Sequence, residues 1–193
     1  MSKTLKGTET FKNLIASYYN ECHAVSLYSW YAKKAKKEGF QQISAIFSET
    51  AQNEGEHAKK FLRFLKAEAP PVCAEIPGAI PPMGSTLQNL QFSACGETEE
   101  GIKSYSSYAD TAEKEGFAEV ATIFRGICQA EAFHGERFKF YADLLEKDSL
   151  FKRDREVRWR CRNCGYVCIA KEAPAECPAC GHPIGYFEVA TLE

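Results

Sequence analysis

Apolar residues recur at helical spacing along four long stretches of this chain. The stretches run from about residue 10 to 38, 41 to 67, 87 to 115 and 118 to 145. No proline interrupts any of them, and each is much longer than a β-strand. The pattern therefore predicts four helices. The first should end near Gly39, because glycine often follows the last residue of a helix.

A proline-rich segment separates the second and third predicted helices. Residues 69–86 hold five of the eight prolines of the chain. Such a segment is extended rather than a tight turn, so it predicts a long crossover. Four helices joined by one long crossover form the ferritin-like bundle, and we predict a mainly α fold of this kind.

The two helix pairs form an internal repeat. Residues 36–57 align with residues 113–134 at an offset of 77. The alignment places Glu54 and His57 opposite Glu131 and His134, so each half carries one Glu-x-x-His pair. Because residues three apart lie on the same face of a helix, each pair presents a carboxylate and an imidazole together.

The repeat is imperfect on the third helix. Tyr31 and Tyr108 are also 77 residues apart, but Glu21 and Glu97 are only 76 apart. Helix three therefore contains one extra residue between Glu97 and Tyr108. A continuous helix absorbs such an insertion as a π-bulge, and π-bulges are frequent at functional sites.

The repeated carboxylates and imidazoles predict a two-metal site inside the bundle. One Glu-x-x-His pair is weak evidence, because both residue types are common on solvated helix faces. Two pairs in matching places, each with a glutamate 33 or 34 residues upstream, are the pattern of carboxylate-bridged metal pairs. Burial of these carboxylates also requires cations to balance them. The predicted ligands are Glu21, Glu54, His57, Glu97, Glu131 and His134.

Three further residues are candidates for chemistry at this site. Glu100 follows Glu97 by one helical turn, and it adds a carboxylate beyond those that balance two Fe(II). We hypothesise that Glu100 binds one iron in the oxidised state and that His57 replaces it on reduction; otherwise Glu100 lies beside the site or on the surface. Tyr28 and Tyr105 should face the metals, where a phenol can hydrogen-bond a ligand or donate to peroxide. The alternative is that both are core tyrosines.

Composition and charge exclude several classes of function. The net charge of −2 is made of interspersed acids and bases, so neither nucleic acid nor an anionic membrane is an expected partner. No apolar run is long enough to span a bilayer, and the first residues lack the apolar core of a signal peptide. We therefore expect a cytoplasmic protein. Its nine cysteines fit a reducing compartment better than a disulfide framework.

The chain changes character after residue 150. We predict a bundle domain at 1–150, and a linker and small module at 151–193. Residues 151–160 resemble a charged linker that leads into a strand, and about 35 residues follow that are too few for a large core without a metal. Two CxxC pairs supply four thiolates. Their spacing alone does not separate structural zinc from a redox iron. The pairs are Cys161, Cys164, Cys177 and Cys180.

Nearly the whole chain resembles the rubrerythrin family. The matching motifs are NECHAVSLYSWYA, NEGEHAKKF, GETEEGIKSY, QAEAFHGERF and WRCRNCGY…CPACGHP. The resemblance implies an oxo- and carboxylate-bridged di-iron centre in a ferritin-like bundle. It also implies a C-terminal rubredoxin-like β module that holds one iron by four thiolates. The implied di-iron ligands are the six predicted above together with Glu100.

The resemblance also implies an activity and partners. Family members reduce hydrogen peroxide to water as an oxidative-stress defence, with electrons from NAD(P)H that arrive through a reductase or rubredoxin. They form homodimers, and larger or helix-swapped assemblies occur. One departure is the segment CHAVSL at 22–27, where the family usually has a polar stretch with an arginine. This departure puts rate and substrate preference in doubt, but not the metal site.

Two other functions are compatible with parts of the pattern. The same kind of bundle oxidises Fe(II) with oxygen in ferroxidases and iron-buffering proteins, although these have no use for a tethered rubredoxin-like module. A scaffold with zinc at both sites is the second alternative.

Overall fold

The computed structural model describes residues 4–66, 81 and 83–190, and it confirms the four predicted helical stretches. Three of them are continuous helices, and the third contains a π-helical segment between two α-helices. Most of the predicted crossover lies outside the described residues. In chain order the elements are α1 (Glu9–Lys37), α2 (Gln41–Leu65), α3 (Thr86–Gly96), the π-helical segment (Glu97–Ile102), α4 (Lys103–Lys114) and α5 (Ala118–Glu146).

The π-helical segment lies where the one-residue mismatch of the repeat predicted a bulge, and that prediction is confirmed. Two glycines allow this segment to approach α5 closely. A Cβ atom added at Gly101 would lie 3.1 Å from Cβ and Cγ of Glu131, and one added at Gly135 would lie 3.3 Å from Cβ of Glu97. The π-helical segment, which carries Glu97, therefore packs directly against the predicted ligand Glu131 on α5.

The two halves of the repeat cap each other's helices. Glu38, just past the end of α1, accepts a hydrogen bond from the Thr86 amide at 2.8 Å, at the start of α3. Glu115, just past α4, accepts bonds from the Thr10 amide and hydroxyl at 2.9 and 2.6 Å, at the start of α1. A carboxylate at a helix N-terminus satisfies unpaired amides and complements the helix dipole. The repeated Glu-Gly-Phe turns thus connect the two helix pairs.

The bundle core is divided into two apolar clusters with a polar layer between them. One cluster contains Tyr31, Phe47 and Phe138, and the other contains Phe61 and Phe124. Along α1, α2, the α3–α4 stretch and α5, the buried acids occur between the residues of the two clusters. Each helix therefore contributes a carboxylate to the middle of the bundle, and apolar packing above and below holds it in place.

The C-terminal module is a three-stranded antiparallel sheet. Its strands are β1 (Lys152–Cys161), β2 (Val167–Glu172) and β3 (Phe187–Val189), in the order β2-β1-β3. Trp159 and Phe187 are fully buried between the sheet and the cysteine loops. The mainly α bundle with a small β module agrees with the predicted fold class.

The prediction of a linker at 151–160 is wrong for most of that segment. Strand β1 begins at Lys152, which pairs with Glu172, and the register shifts before Val157 pairs with Ala170. The segment looks like a linker because its side chains are mostly charged and exposed. Its extended shape comes from pairing with β2 rather than from any alternation in its own sequence.

The module packs against the turn between α1 and α2. A Cβ atom added at Gly185 would lie 1.9 Å from the carbonyl oxygen of Gly39, so the two backbones are in direct contact. Within the module, the backbone amide of Ala173 donates to the carbonyl of Phe151 at 2.9 Å. Among the described helices, none combines the length and apolar character needed to cross a membrane.

Candidate di-metal centre and four-cysteine site

Six of the predicted metal ligands meet in the polar layer of the bundle. They form two groups of four whose candidate ligand atoms lie within 4.8 Å of one another. Glu54 and Glu131 belong to both groups. Glu21 and His57 complete the first group, and Glu97 and His134 complete the second. Two shared and four unshared donors are the arrangement expected of a pair of metals bridged by two carboxylates.

The two histidines occupy matching positions between the shared glutamates. Nδ1 of His57 lies 2.8 Å from a Glu54 oxygen and 3.0 Å from a Glu131 oxygen. Nδ1 of His134 lies 3.1 Å from Glu54 and 2.9 Å from Glu131. The two rings are stacked with centroids 6.0 Å apart. The internal repeat of the sequence therefore becomes an approximate twofold symmetry of the site.

Burial and neighbouring charges shift the pKa values of several of these ligands. Burial raises the pKa of Glu21 and of Glu97 well above the usual range, and the charges of Glu131 and Glu54 raise both further. Burial lowers the pKa of each imidazole, but contacts with Glu131 and Glu54 outweigh it. They raise the pKa of His57 to about 10 and that of His134 to about 9. Without metal ions, the crowded carboxylates are accommodated by bound protons, so the site favours cations that take the place of those protons.

The donor set fits a pair of metal ions. Both carboxylate oxygens of Glu54 and Oε1 of Glu131 are buried, and no described group completes a well-aligned hydrogen bond to them. Buried polar atoms are normally satisfied, and each imidazole Nδ1 lies between two carboxylate oxygens that one N–H cannot both serve, so these oxygens need another partner. Four buried carboxylates in one layer are also too costly without positive charge. Two divalent ions between the shared glutamates would satisfy both requirements.

Two tyrosines fix the unshared glutamates. Tyr105 donates to Oε1 of Glu21 at 2.6 Å, and Tyr28 donates to Oε1 of Glu97 in the same way. Both phenols are buried, which raises the pKa of each well above its usual value; the neighbouring carboxylates raise it further. The hydroxyls therefore stay protonated. The prediction that Tyr28 and Tyr105 face the site agrees with this geometry.

The side chain of Glu100 lies outside the described residues, so its predicted exchange with His57 stays a prediction.

Sequence reasoning missed Arg137, which donates to the hydroxyl of buried Thr50 at 2.8 Å and so joins α5 to α2 one turn before Glu54. Its only sequence signal is its position one turn after His134.

The four predicted cysteines also come together. Their sulfurs form a single group, with Cys161 and Cys180 3.8 Å apart and Cys164 and Cys177 3.6 Å apart. A tetrahedron of metal–sulfur bonds about 2.3 Å long has edges of about 3.8 Å, so the spacing fits one tetrahedral ion. Gly165 and Gly181 have positive φ angles of 79° and 70°, which let each CxxC loop turn back on itself.

Comparison with known proteins decides the family. The family model for rubrerythrin matches residues 12–141, and the model for the rubrerythrin rubredoxin-like domain matches residues 159–188. The chain belongs to the rubrerythrin family. It is 46% identical over 188 residues to the rubrerythrin of Porphyromonas gingivalis, with 97% of this chain and 93% of that protein covered. It is 48% identical over 189 residues to the rubrerythrin of Clostridium perfringens, with 97% of each covered.

Solved structures give the same architecture. The chain resembles nigerythrin in its partially reduced state, with a TM-score of 0.64 and 26% identity over 97% of this chain and 92% of that one. It also resembles Mycobacterium tuberculosis bacterioferritin, with a TM-score of 0.66 and 16% identity over 75% of this chain and 90% of that one. The latter likeness concerns the fold alone. Membership of the rubrerythrin family assigns iron to both the di-metal centre and the four-cysteine site, and so decides against the zinc scaffold.

Proposed function

We propose that this member of the rubrerythrin family is a non-haem di-iron peroxidase that reduces hydrogen peroxide to water. The observation that carries the proposal is the presence of two kinds of iron site in one chain. The carboxylate–histidine centre suits two-electron chemistry on a small oxygen species, and the four-cysteine site suits one-electron transfer. A di-iron peroxidase that is re-reduced by one-electron carriers uses both, because each turnover consumes two electrons and the carrier supplies them one at a time.

The ligand assignments follow from the two groups of donors. Glu54 and Glu131 would bridge the irons; Glu21 and His57 would complete one iron, and Glu97 and His134 the other. When bound, a ferrous pair supplies the two electrons that break the O–O bond. Cys161, Cys164, Cys177 and Cys180 would hold the single iron that restores those electrons.

Two tyrosine hydroxyls beside the ligand carboxylates hold protons close to the proposed site of reaction. The reaction is H2O2 + 2 H⁺ + 2 e⁻ → 2 H2O, so two protons must arrive in a buried layer. Tyr28 and Tyr105 each hold a proton on a hydroxyl that already contacts a ligand carboxylate. They can donate hydrogen bonds without carrying charge into the site. Their raised pKa values keep them protonated between turnovers.

The His57 side of the centre is the more accessible side. The side chain of His57 is 14% exposed, whereas that of His134 is 5% exposed. We therefore place the approach of peroxide on the His57 side. The hypothesis that Glu100 would be a ligand in the oxidised state and His57 in the reduced state is part of the same proposal. The electron source proposed is an NAD(P)H-dependent reductase or rubredoxin, and the assembly proposed is a homodimer.

Rapid mixing tests this function against its rival. The iron-loaded protein is reduced anaerobically and mixed with hydrogen peroxide or with oxygen, while iron absorbance is followed. A peroxidase is reoxidised faster by peroxide than by oxygen at equal concentration. A ferroxidase or iron-buffering protein would react at least as fast with oxygen, and that result would reject the proposal.

A further inference from the structure

One face of the C-terminal sheet is basic and apolar at the same time. On β1, Arg158 pairs across the sheet with Ile169, and Arg160 pairs with Val167. These side chains line a groove of about 820 Å³ beside Gln42 of α2. Ile169 is 66% exposed and Val167 is 43% exposed. Exposed branched residues on an edge strand are unusual, since such edges invite contact with other proteins.

The charge of this face is positive because its acidic residue is already neutralised. Glu188 is the one acid among the described residues that line the groove, and it is buried. Arg160 and Arg162 both form ion pairs with it. Arg158 forms no ion pair with any residue in the described part of the chain. The outer face therefore presents a net positive rim around two apolar side chains.

The strand that carries Arg158 and Arg160 ends at a ligand of the four-cysteine site, although the Cys161 side chain points to the opposite, buried face of the sheet. Cys161 lies between Arg160 and Arg162 in the chain, and Val167 follows Cys164 by three residues. The amide of Cys161, the last residue of β1, donates to the carbonyl of Tyr166 at 2.8 Å, and this bond joins the end of β1 to the start of β2. A protein bound to this face would thus lie against the backbone that carries two of the sulfur ligands.

We propose that this face, formed by Arg158, Arg160, Val167 and Ile169, is the docking surface for an acidic one-electron carrier protein. The inference rests on the proposed function, since only a protein that consumes electrons needs such a donor. Charge complementarity selects an acidic partner and accelerates its encounter. The small apolar centre gives a contact that is specific yet short-lived, as weak electron-transfer complexes require.

The test measures how fast the oxidised four-cysteine iron of the full iron-loaded protein is reduced. The donor is flavodoxin hydroquinone, an acidic one-electron protein, used under anaerobic conditions. Arg158→Glu should lower the second-order rate about tenfold at low ionic strength, and the loss should shrink as salt screens the charges. Arg158→Gln should give a smaller loss. Ile169→Ser should lower the rate at every salt concentration.

Two controls separate docking from other effects. Lys12→Glu makes the same charge change near the start of α1, roughly 40 Å along that helix from the turn where the module packs; it should stay within about twofold of the parent rate. A small uncharged donor, photoreduced deazalumiflavin, should reduce every variant equally. Docking is rejected if Arg158→Glu reacts like the parent, if Lys12→Glu loses as much, or if the small donor is slowed too.

The result is distinguishable from a failure of the proposed function. Each variant is also reduced chemically and then mixed with peroxide, and reoxidation should match the parent protein. If peroxide fails to reoxidise even the parent, the peroxidase proposal fails. If only the donor-dependent step changes in Arg158→Glu, the docking surface is supported.

Discussion

The hydroxyl of Tyr105 donates a 2.6 Å hydrogen bond to the carboxylate of Glu21, and Tyr28 makes the equivalent bond to Glu97. In the sequence, Tyr105 follows Glu97 by eight residues and Tyr28 follows Glu21 by seven, so each tyrosine is nearest in the chain to the glutamate that it does not bond. The hydrogen bonds cross between the halves of the repeat, because each tyrosine bonds to the glutamate of the other half. The two helix pairs are therefore linked at the metal site itself as well as at the capped helix ends.

Removal of one of these hydroxyls should slow the reaction of the centre with peroxide without unfolding the bundle. In Tyr105→Phe, Glu21 loses its donor, and we expect roughly tenfold slower reoxidation by peroxide, because groups that orient metal ligands typically contribute 10- to 100-fold. Stopped-flow absorbance provides the measurement. Tyr108→Phe is the matched control, since the Tyr108 hydroxyl bonds to none of the described ligand carboxylates. If Tyr105→Phe is reoxidised by peroxide as fast as Tyr108→Phe, the Tyr105 hydroxyl has no role in the reaction.

A methyl group at Gly101 should disturb the site from the π-helical segment. The added Cβ would lie 3.1 Å from Glu131, so the segment or the ligand must shift. We expect Gly101→Ala to lower iron content and to destabilise the protein by about 1–3 kcal/mol, as overpacking does. Gly126→Ala, on α5 with no atom within 4 Å, should be neutral or slightly stabilising. Chemical denaturation and metal analysis would compare them; full iron occupancy in Gly101→Ala would contradict the prediction.

The contact between Gly185 and Gly39 predicts how the module can be released. A Cβ at Gly185 would overlap the Gly39 carbonyl, and backbone atoms cannot rotate away. Gly185→Ala should therefore separate the module from the α1–α2 turn and expose residues 147–152 to protease. Limited proteolysis would show this as faster cleavage into two fragments. Pro183→Ala, two residues away and exposed, should be cleaved at the parent rate.

Helix capping by Glu38 predicts a pH-dependent contribution to stability. Burial alone would raise its pKa, but bonds from Lys34 and Thr86 outweigh this and lower the pKa below the ordinary value of 4.5. The stabilisation is therefore complete above pH 4.5 and is lost as the pH falls through the folded-state pKa. Glu38→Gln should lower the free energy of unfolding by about 0.5–1 kcal/mol at pH 7.

At pH 3.5 the free energy of unfolding of Glu38→Gln should lie closer to that of the parent protein than it does at pH 7. Urea unfolding at both pH values measures the difference, and Glu56→Gln on the exposed face of α2 should change stability by less than about 0.5 kcal/mol. A difference between Glu38→Gln and the parent that stays constant with pH would show that the cap does not depend on the charge of Glu38.

The parts of the fold that could be predicted are those encoded by local spacing. Residues three apart on a helix share a face whatever surrounds them, so the pairing of Glu54 with His57 follows from sequence alone. The π-helical segment could be predicted because an internal copy of the same helix lacks one residue. The first helix of this chain therefore serves as the sequence to which the third helix is compared.

The parts that could not be predicted depend on distant partners. Strand β1 has no apolar alternation over Lys152–Glu156, and its extended form depends on β2 and on a register shift. The contact of Gly185 with Gly39 joins residues 146 positions apart and has no periodic signal. The bond from Arg137 to Thr50 likewise depends on how α5 packs against α2.

In the proposed function, the four-cysteine iron returns electrons to the carboxylate centre during peroxide reduction. The direct measurement is a single turnover of fully reduced protein with one equivalent of hydrogen peroxide per di-iron centre, followed at wavelengths that report each iron site. We expect the di-iron centre to be oxidised first; the four-cysteine iron should then lose one electron to it, so that the di-iron centre is partly reduced again. A four-cysteine iron that stays reduced while the di-iron centre remains oxidised would contradict it.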